Sequence, residues 1–199
     1  MSRDRRALLL VAIVLVAVNL RFAITSVGPV VDDIRDDLGL SSAVAGLLTT
    51  TPLLALGLVA PFGPPLGRRF GPERVLLCCL LAIAAGIALR LAGTVAPLFL
   101  GTVVAGCGIA IGNVMVPVIV KARFRESAAA TMGIYAAALS GGAALATGLT
   151  VPLEHATGSW RVALGVWGIP ALVAAVVWGP QTRIAGPPPP VGARPRVGL

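Results

Sequence analysis

Charge is what this sequence has least of. Only 12% of its 199 residues are Asp, Glu, Lys or Arg, about half the share of a water-soluble domain. A soluble enzyme core is therefore excluded, because too little polar surface is left to wrap it. Disorder is excluded over most of the length, since disordered segments need low hydrophobicity; here 57% of residues are apolar and mean hydropathy is +0.93. There is one histidine, His155, and there are three cysteines. Cys78, Cys79 and Cys107 lack metal-ligand spacing and read as small apolar fillers. His155 has no partners for ligation or catalysis, and no cofactor is implied. A membrane-embedded enzyme needs convergent acids, a His/metal set or an activated nucleophile. The sequence offers none of these, so it reads as non-enzymatic.

Short alternating segments are also missing, which argues against a β-barrel. What is present is a series of long uncharged runs: 7–20, 22–31, 38–67, 75–89, 91–120, 127–153 and 162–182. A membrane-spanning helix needs about 20 mostly apolar residues. The runs predict an all-α membrane protein with six spans near 7–31, 42–66, 74–93, 95–119, 127–152 and 161–179. Together these make a bundle over 1–182. The stretch 183–199, with Pro187–Pro190, reads as a stiff proline- and glycine-rich tail or linker.

The net charge of +8 superficially suggests nucleic acid, but its distribution argues for topology instead. Twelve basic residues fall on one side of the predicted spans: Arg3, Arg5 and Arg6; Arg68, Arg69 and Arg74; Lys121, Arg123 and Arg125; Arg183, Arg194 and Arg196. The opposite connections hold Arg35 and Arg161, and the first of them is acidic, with Asp32, Asp33, Asp36 and Asp37. Cytoplasmic loops collect Lys and Arg. Both termini are thus expected in the cytoplasm, in a multi-pass protein of the cytoplasmic (inner) membrane. Each loop charge is expected to be solvated. Three arginines before an apolar stretch resemble a signal peptide, but no small-x-small cleavage site follows, so the first span is expected to be retained.

Small residues mark close helix packing. Gly101, Ala105, Gly108 and Gly112 form one stripe in the fourth span, and Ala137, Gly141, Ala144 and Gly148 another in the fifth. Trp160 and Trp178 flank the sixth span and fit an interfacial aromatic belt.

Arg21 does not belong in hydrocarbon. It lies about 20 Å along the first helix, just past the bilayer midplane. Placing a charge there costs about 2.5–3.5 kcal/mol, and no Asp or Glu lies within any predicted span to pair with it. Helical spacing puts Arg21, Thr25 and Gly28 on one face, an arrangement suited to a small anion. Arg90 reads either as snorkelling to the interface or as lining a cavity. Asn113 can join helices or donate to an anion, as Asn19 can join helices. Tyr135 reads as an interfacial anchor or a cavity wall. The candidate solute contacts are Arg21, Thr25, Asn113, Arg90 and Tyr135.

These residues resemble a known family. Six spans with a basic loop between the second and third look like the N-terminal half of a major facilitator superfamily transporter. In that loop Leu66, Arg69 and Gly71 match the superfamily signature, with Pro64, Arg68 and Glu73 standing at its first glycine, its aspartate and a basic position. The resemblance implies a gating role for Arg68, Arg69, Gly71 and Arg74. Leu20-Arg21-Phe22-Ala23-Ile24-Thr25-Ser26-Val27-Gly28-Pro29 and Gly108-Ile109-Ala110-Ile111-Gly112-Asn113-Val114-Met115-Val116-Pro117 are similar to the cyanate/nitroimidazole permease branch. What this implies is secondary-active movement of a small polar or anionic solute through a lipid bilayer. Superfamily transporters have two six-helix halves with the solute between them. A second half, a second copy of this chain, or a truncated product follows as an expectation. The alternative is a non-transporting membrane remnant or an assembly subunit of a split transporter.

Overall fold

A computed structural model describes residues 3–184, and these are almost wholly helical. The helices are α1 (Arg3–Thr25), α2 (Val31–Leu38), α3 (Ser42–Val59), α4 (Gly63–Phe70), α5 (Pro72–Arg90), α6 (Val95–Arg123), α7 (Ala128–Thr157), α8 (Trp160–Gly165) and α9 (Gly168–Ile184). Short 3-10 turns at Gly28–Val30 and Ala60–Phe62 join α1 to α2 and α3 to α4. Six helical segments result that are long and apolar enough to cross a membrane. The all-α, six-span fold read from the sequence is the fold observed. Of the tail expected over 183–199, residues 185–199 lie outside the described residues.

The acidic stretch after the first span is helical rather than an open loop. Asp32 and Asp33 occupy the first turn of α2, where the helix dipole favours negative charge. Arg35 pairs with Asp32 at 2.9 Å and Asp36 at 3.0 Å. Gly39, at φ +62°, ends the helix in the left-handed conformation. The Ser41 hydroxyl then accepts from the Val44 amide and caps α3. Ile34 of α2 is fully buried and packs with Leu48, Leu98, Trp160 and Leu164 in a small second core.

The two small-residue stripes behave differently. In α6 a methyl group added at Gly101 would collide with the Gly86 carbonyl, and one at Gly108 would lie 2.8 Å from the Cys79 carbonyl. The backbones of α5 and α6 therefore touch along this stripe. Gly112 faces Leu20 of α1 instead, at 2.8 Å. In α7, Ala137, Gly141, Ala144 and Gly148 are all exposed. A methyl group at Gly141 or Gly148 would meet nothing within 4 Å. Only Gly142, one position away, packs inward, against the Val18 backbone of α1.

The tryptophans depart from the belt expectation. Trp178 is fully buried and donates from Nε1 to the Glu73 carbonyl at 2.9 Å. Trp160 is buried and donates to Asp37 Oδ2 at 3.1 Å. A buried indole N–H seeks an acceptor, and each of these finds one on a distant helix. Arg161 reaches the same Asp37 oxygen at 2.7 Å and lies over the Trp160 ring. The charges of this connection thus form a cluster and are not simply solvated. His155 lies in the last turn of α7 beside Glu154.

Candidate functional site

Arg21 lies on a half-exposed stripe of α1 that also carries Thr25, while Gly28 falls beyond the helix end, exposed in the 3-10 turn Gly28–Val30. Among the described residues no hydrogen bond or ion pair reaches its guanidinium. Its carbonyl, not its side chain, takes the Thr25 hydroxyl at 2.9 Å. Thr25 is therefore bonded back into its own helix and keeps only acceptor capacity toward a solute.

Tyr135 is buried, and its hydroxyl donates to Asn113 Oδ1 at 3.0 Å. Asn113 Nδ2 donates in turn to the Ile109 carbonyl at 3.0 Å. Two of the predicted residues, Asn113 of α6 and Tyr135 of α7, thus form one hydrogen-bonded pair. Tyr135 is an interior residue here and not an interfacial anchor.

Arg90 is separate from this group. It is 1% exposed, which excludes snorkelling. Its Nη1 donates to the Ala23 carbonyl at 2.9 Å, on the buried side of α1. Its stem lies over Gly101, where an added methyl would sit 3.1 Å from Cγ. Its Nε and Nη2 are buried without an acceptor among the described residues. An unmet buried donor costs about 1–3 kcal/mol, so Arg90 is a tightly held but incompletely satisfied cation. Asn19 bonds the Leu15 and Pro170 carbonyls and ties α1 to α9, the helix-joining role open to it from the sequence.

At the basic end, Arg68 and Arg69 are exposed at the end of α4, with Arg69 over the Phe70 ring. Gly71, at φ +86°, lets the chain turn into α5. Arg74 edges an apolar groove of about 560 Å³ that all three cysteines line. The described residues hold no group of His, Cys, Asp or Glu placed for a metal.

Besides the Asp37–Arg161 pair, the sequence reading missed a pair at the basic end. Glu73, in the first turn of α5, is buried and accepts from Arg123 at 2.7 and 3.2 Å. The signal was available, in an acid at the start of one span and a base at the end of the next. Expecting each loop charge to be solvated concealed it.

Residues 11–197 match the family model for the Major Facilitator Superfamily. The chain is 43% identical over 176 residues to the uncharacterized transporter YycB of Bacillus subtilis (strain 168), covering 88% of this chain and 44% of that protein. It is 41% identical over 183 residues to the 2-nitroimidazole transporter of Escherichia coli (strain K12), covering 92% and 47% respectively. It is 34% identical over 171 residues to the cyanate transport protein CynX of the same bacterium, covering 85% and 44%. The chain thus spans a little under half the length of these curated relatives. All three are named as transporters and none as an enzyme, as the sequence reading expected. This chain is a multi-pass membrane protein and a member of the Major Facilitator Superfamily.

Proposed function

We propose that this chain forms one six-helix half of a secondary-active transporter for a small polar or anionic solute of the cyanate or nitroimidazole kind. Arg21 is the anion contact near the midplane. Thr25, Tyr135 and Asn113 shape the polar wall beside it, and Arg90 adds positive potential from behind α1. The observation that carries this reading is the Arg21 guanidinium, half-exposed at span depth with no counter-ion among the described residues. An intramembrane ionisable residue without a structural partner points to a solute or ion path. The exposed face of α3 and α7, with Gly141 and Gly148 open, suits a second six-helix unit of the same fold or another copy of this chain. The corner between α4 and α5, with Arg68, Arg69, Gly71 and Arg74, acts as its gate at the cytoplasmic side. Both termini face the cytoplasm, and the bundle sits in the cytoplasmic membrane.

The test is uptake of labelled cyanate and of 2-nitroimidazole into vesicles that hold this chain with a co-expressed second six-helix unit. Arg21→Ala is expected to abolish the saturable component while leaving membrane insertion unchanged. Uptake equal to the unmodified chain removes Arg21 from the site. Absence of saturable uptake of either solute with any second unit favours the non-transporting remnant or assembly subunit.

A further inference from the structure

Arg90 is a buried cation with no acid beside it. It ends α5, at the far end of that helix from the basic corner, and is 1% exposed. Among the described residues its one acceptor is a backbone carbonyl, that of Ala23 on α1 at 2.9 Å.

The place of that carbonyl explains the contact. α1 ends at Thr25, and the carbonyls of a helix's last turn have no amide of their own helix to accept from. The chain just beyond supplies one partner, the Ser26 amide, which donates to the Phe22 carbonyl at 3.1 Å. Ala23 is sealed in the interior, and its carbonyl is met from α5, 67 residues away in the chain. A cation at this end also faces the negative pole of the helix dipole. The end of α1 thus supplies the partner that no carboxylate provides. Close packing of α5 on α6 at Gly86 and Gly101, with the Arg90 stem laid over Gly101, brings the guanidinium within reach.

The capped turn is also the one that carries the solute contacts. Arg21 and Thr25 flank Ala23 in the chain, and the Thr25 hydroxyl donates to the Arg21 carbonyl at 2.9 Å. Both lie on the half-exposed stripe, whereas Ala23 faces inward. A hold on the buried side therefore fixes the rotation of the turn, and with it the direction of the Arg21 side chain.

We propose that Arg90 is a positioning residue: it caps the end of α1 from α5 and so sets the direction in which Arg21 meets the solute. The inference rests on Arg21 as the solute contact, and Arg90 acts on the solute through α1.

The experiment is hydrogen exchange of the full chain in detergent, with no solute present, read by mass spectrometry over residues 19–30. Arg90→Met keeps a long apolar stem and removes the donors and the charge. It is expected to speed exchange at the end of α1 about tenfold, as loss of a charged hydrogen bond implies. Exchange at the basic end of α5, over 72–80, is expected to stay unchanged and controls for folding. Arg90→Lys is expected to recover most of the protection. Arg90→Gln keeps a donor without the charge and is expected to speed exchange about threefold, so a folding failure of the methionine variant does not decide the matter. Unchanged exchange in both Arg90→Met and Arg90→Gln overturns the cap. In the vesicle uptake assay Arg90→Met is expected to raise KM about fivefold with the maximal rate retained, and Arg90→Lys to restore it. A lower maximal rate at unaltered KM marks a merely structural residue and overturns the positioning role. Absence of saturable uptake by the unmodified chain counts against the solute reading, while the exchange result still decides the cap.

Discussion

The Tyr135 hydroxyl and Asn113 Oδ1 lie 3.0 Å apart, a bond that ties α7 to α6 in the interior of the bundle. Hydrogen bonds between spans are worth on the order of 0.6 kcal/mol, rarely above about 1.7. Tyr135→Phe is therefore expected to lower the melting temperature of the detergent-solubilised chain only slightly. Its larger effect is on the solute, because the Asn113 oxygen is then free to turn toward Arg21 and compete for the cation. Saturable uptake is expected to weaken about fivefold in apparent affinity, read as a KM shift. An unchanged KM would place the pair outside the solute path.

Glu73 and Arg123 form an ion pair at the basic end, with Nη2 2.7 Å from Oε1. Glu73 keeps 10% of its side chain exposed and Arg123 30%, so the pair is partly screened. Removing one partner of a fully buried pair costs about 3–5 kcal/mol, and here about 1–2 kcal/mol is expected after allowing for solvent. Glu73→Gln should accordingly lower the unfolding midpoint in detergent. The charge-reversed double variant Glu73→Arg, Arg123→Glu should recover more than half of that loss. If the double variant is no better than the single ones, the pair is not an energetic unit.

The two small-residue stripes give a paired test. Gly101→Ala drives a methyl group into the Gly86 carbonyl, and overpacking of this kind costs about 1–3 kcal/mol. Gly141→Leu meets open space and is expected to leave the melting behaviour of the isolated bundle unchanged. With a second six-helix unit present, the ranking reverses. Gly141→Leu is expected to abolish co-purification of that unit. Co-purification that survives Gly141→Leu and Gly148→Leu together rules out this face of α7 as the docking face.

Orientation is read with reporters. A fluorescent-protein fusion after Leu199 should fluoresce, because such reporters fold in the cytoplasm. Alkaline phosphatase fused after Leu40 or Gly93 should be active, because both positions follow an odd number of spans. The reverse pattern inverts the assignment of the basic end.

Much of this protein is fixed by its chain alone. The six spans were legible because hydrocarbon excludes charge, so uncharged runs of sufficient length have one stable outcome, and helix satisfies the backbone within each segment. Arg21 was legible for the same reason, as a cation where no cation is expected. What tertiary structure decided was pairing between residues far apart in the chain. Hydropathy could not tell Arg90, held by the Ala23 carbonyl, from Arg21, whose guanidinium has no such partner among the described residues. It could not place the Trp178 indole inside the bundle on the Glu73 carbonyl. Nor could it tell which glycine stripe is filled by α5 and which stays open. A span's composition sets its depth in the bilayer, but its rotation is set by the neighbours it meets, and that rotation decides which side chains face inward.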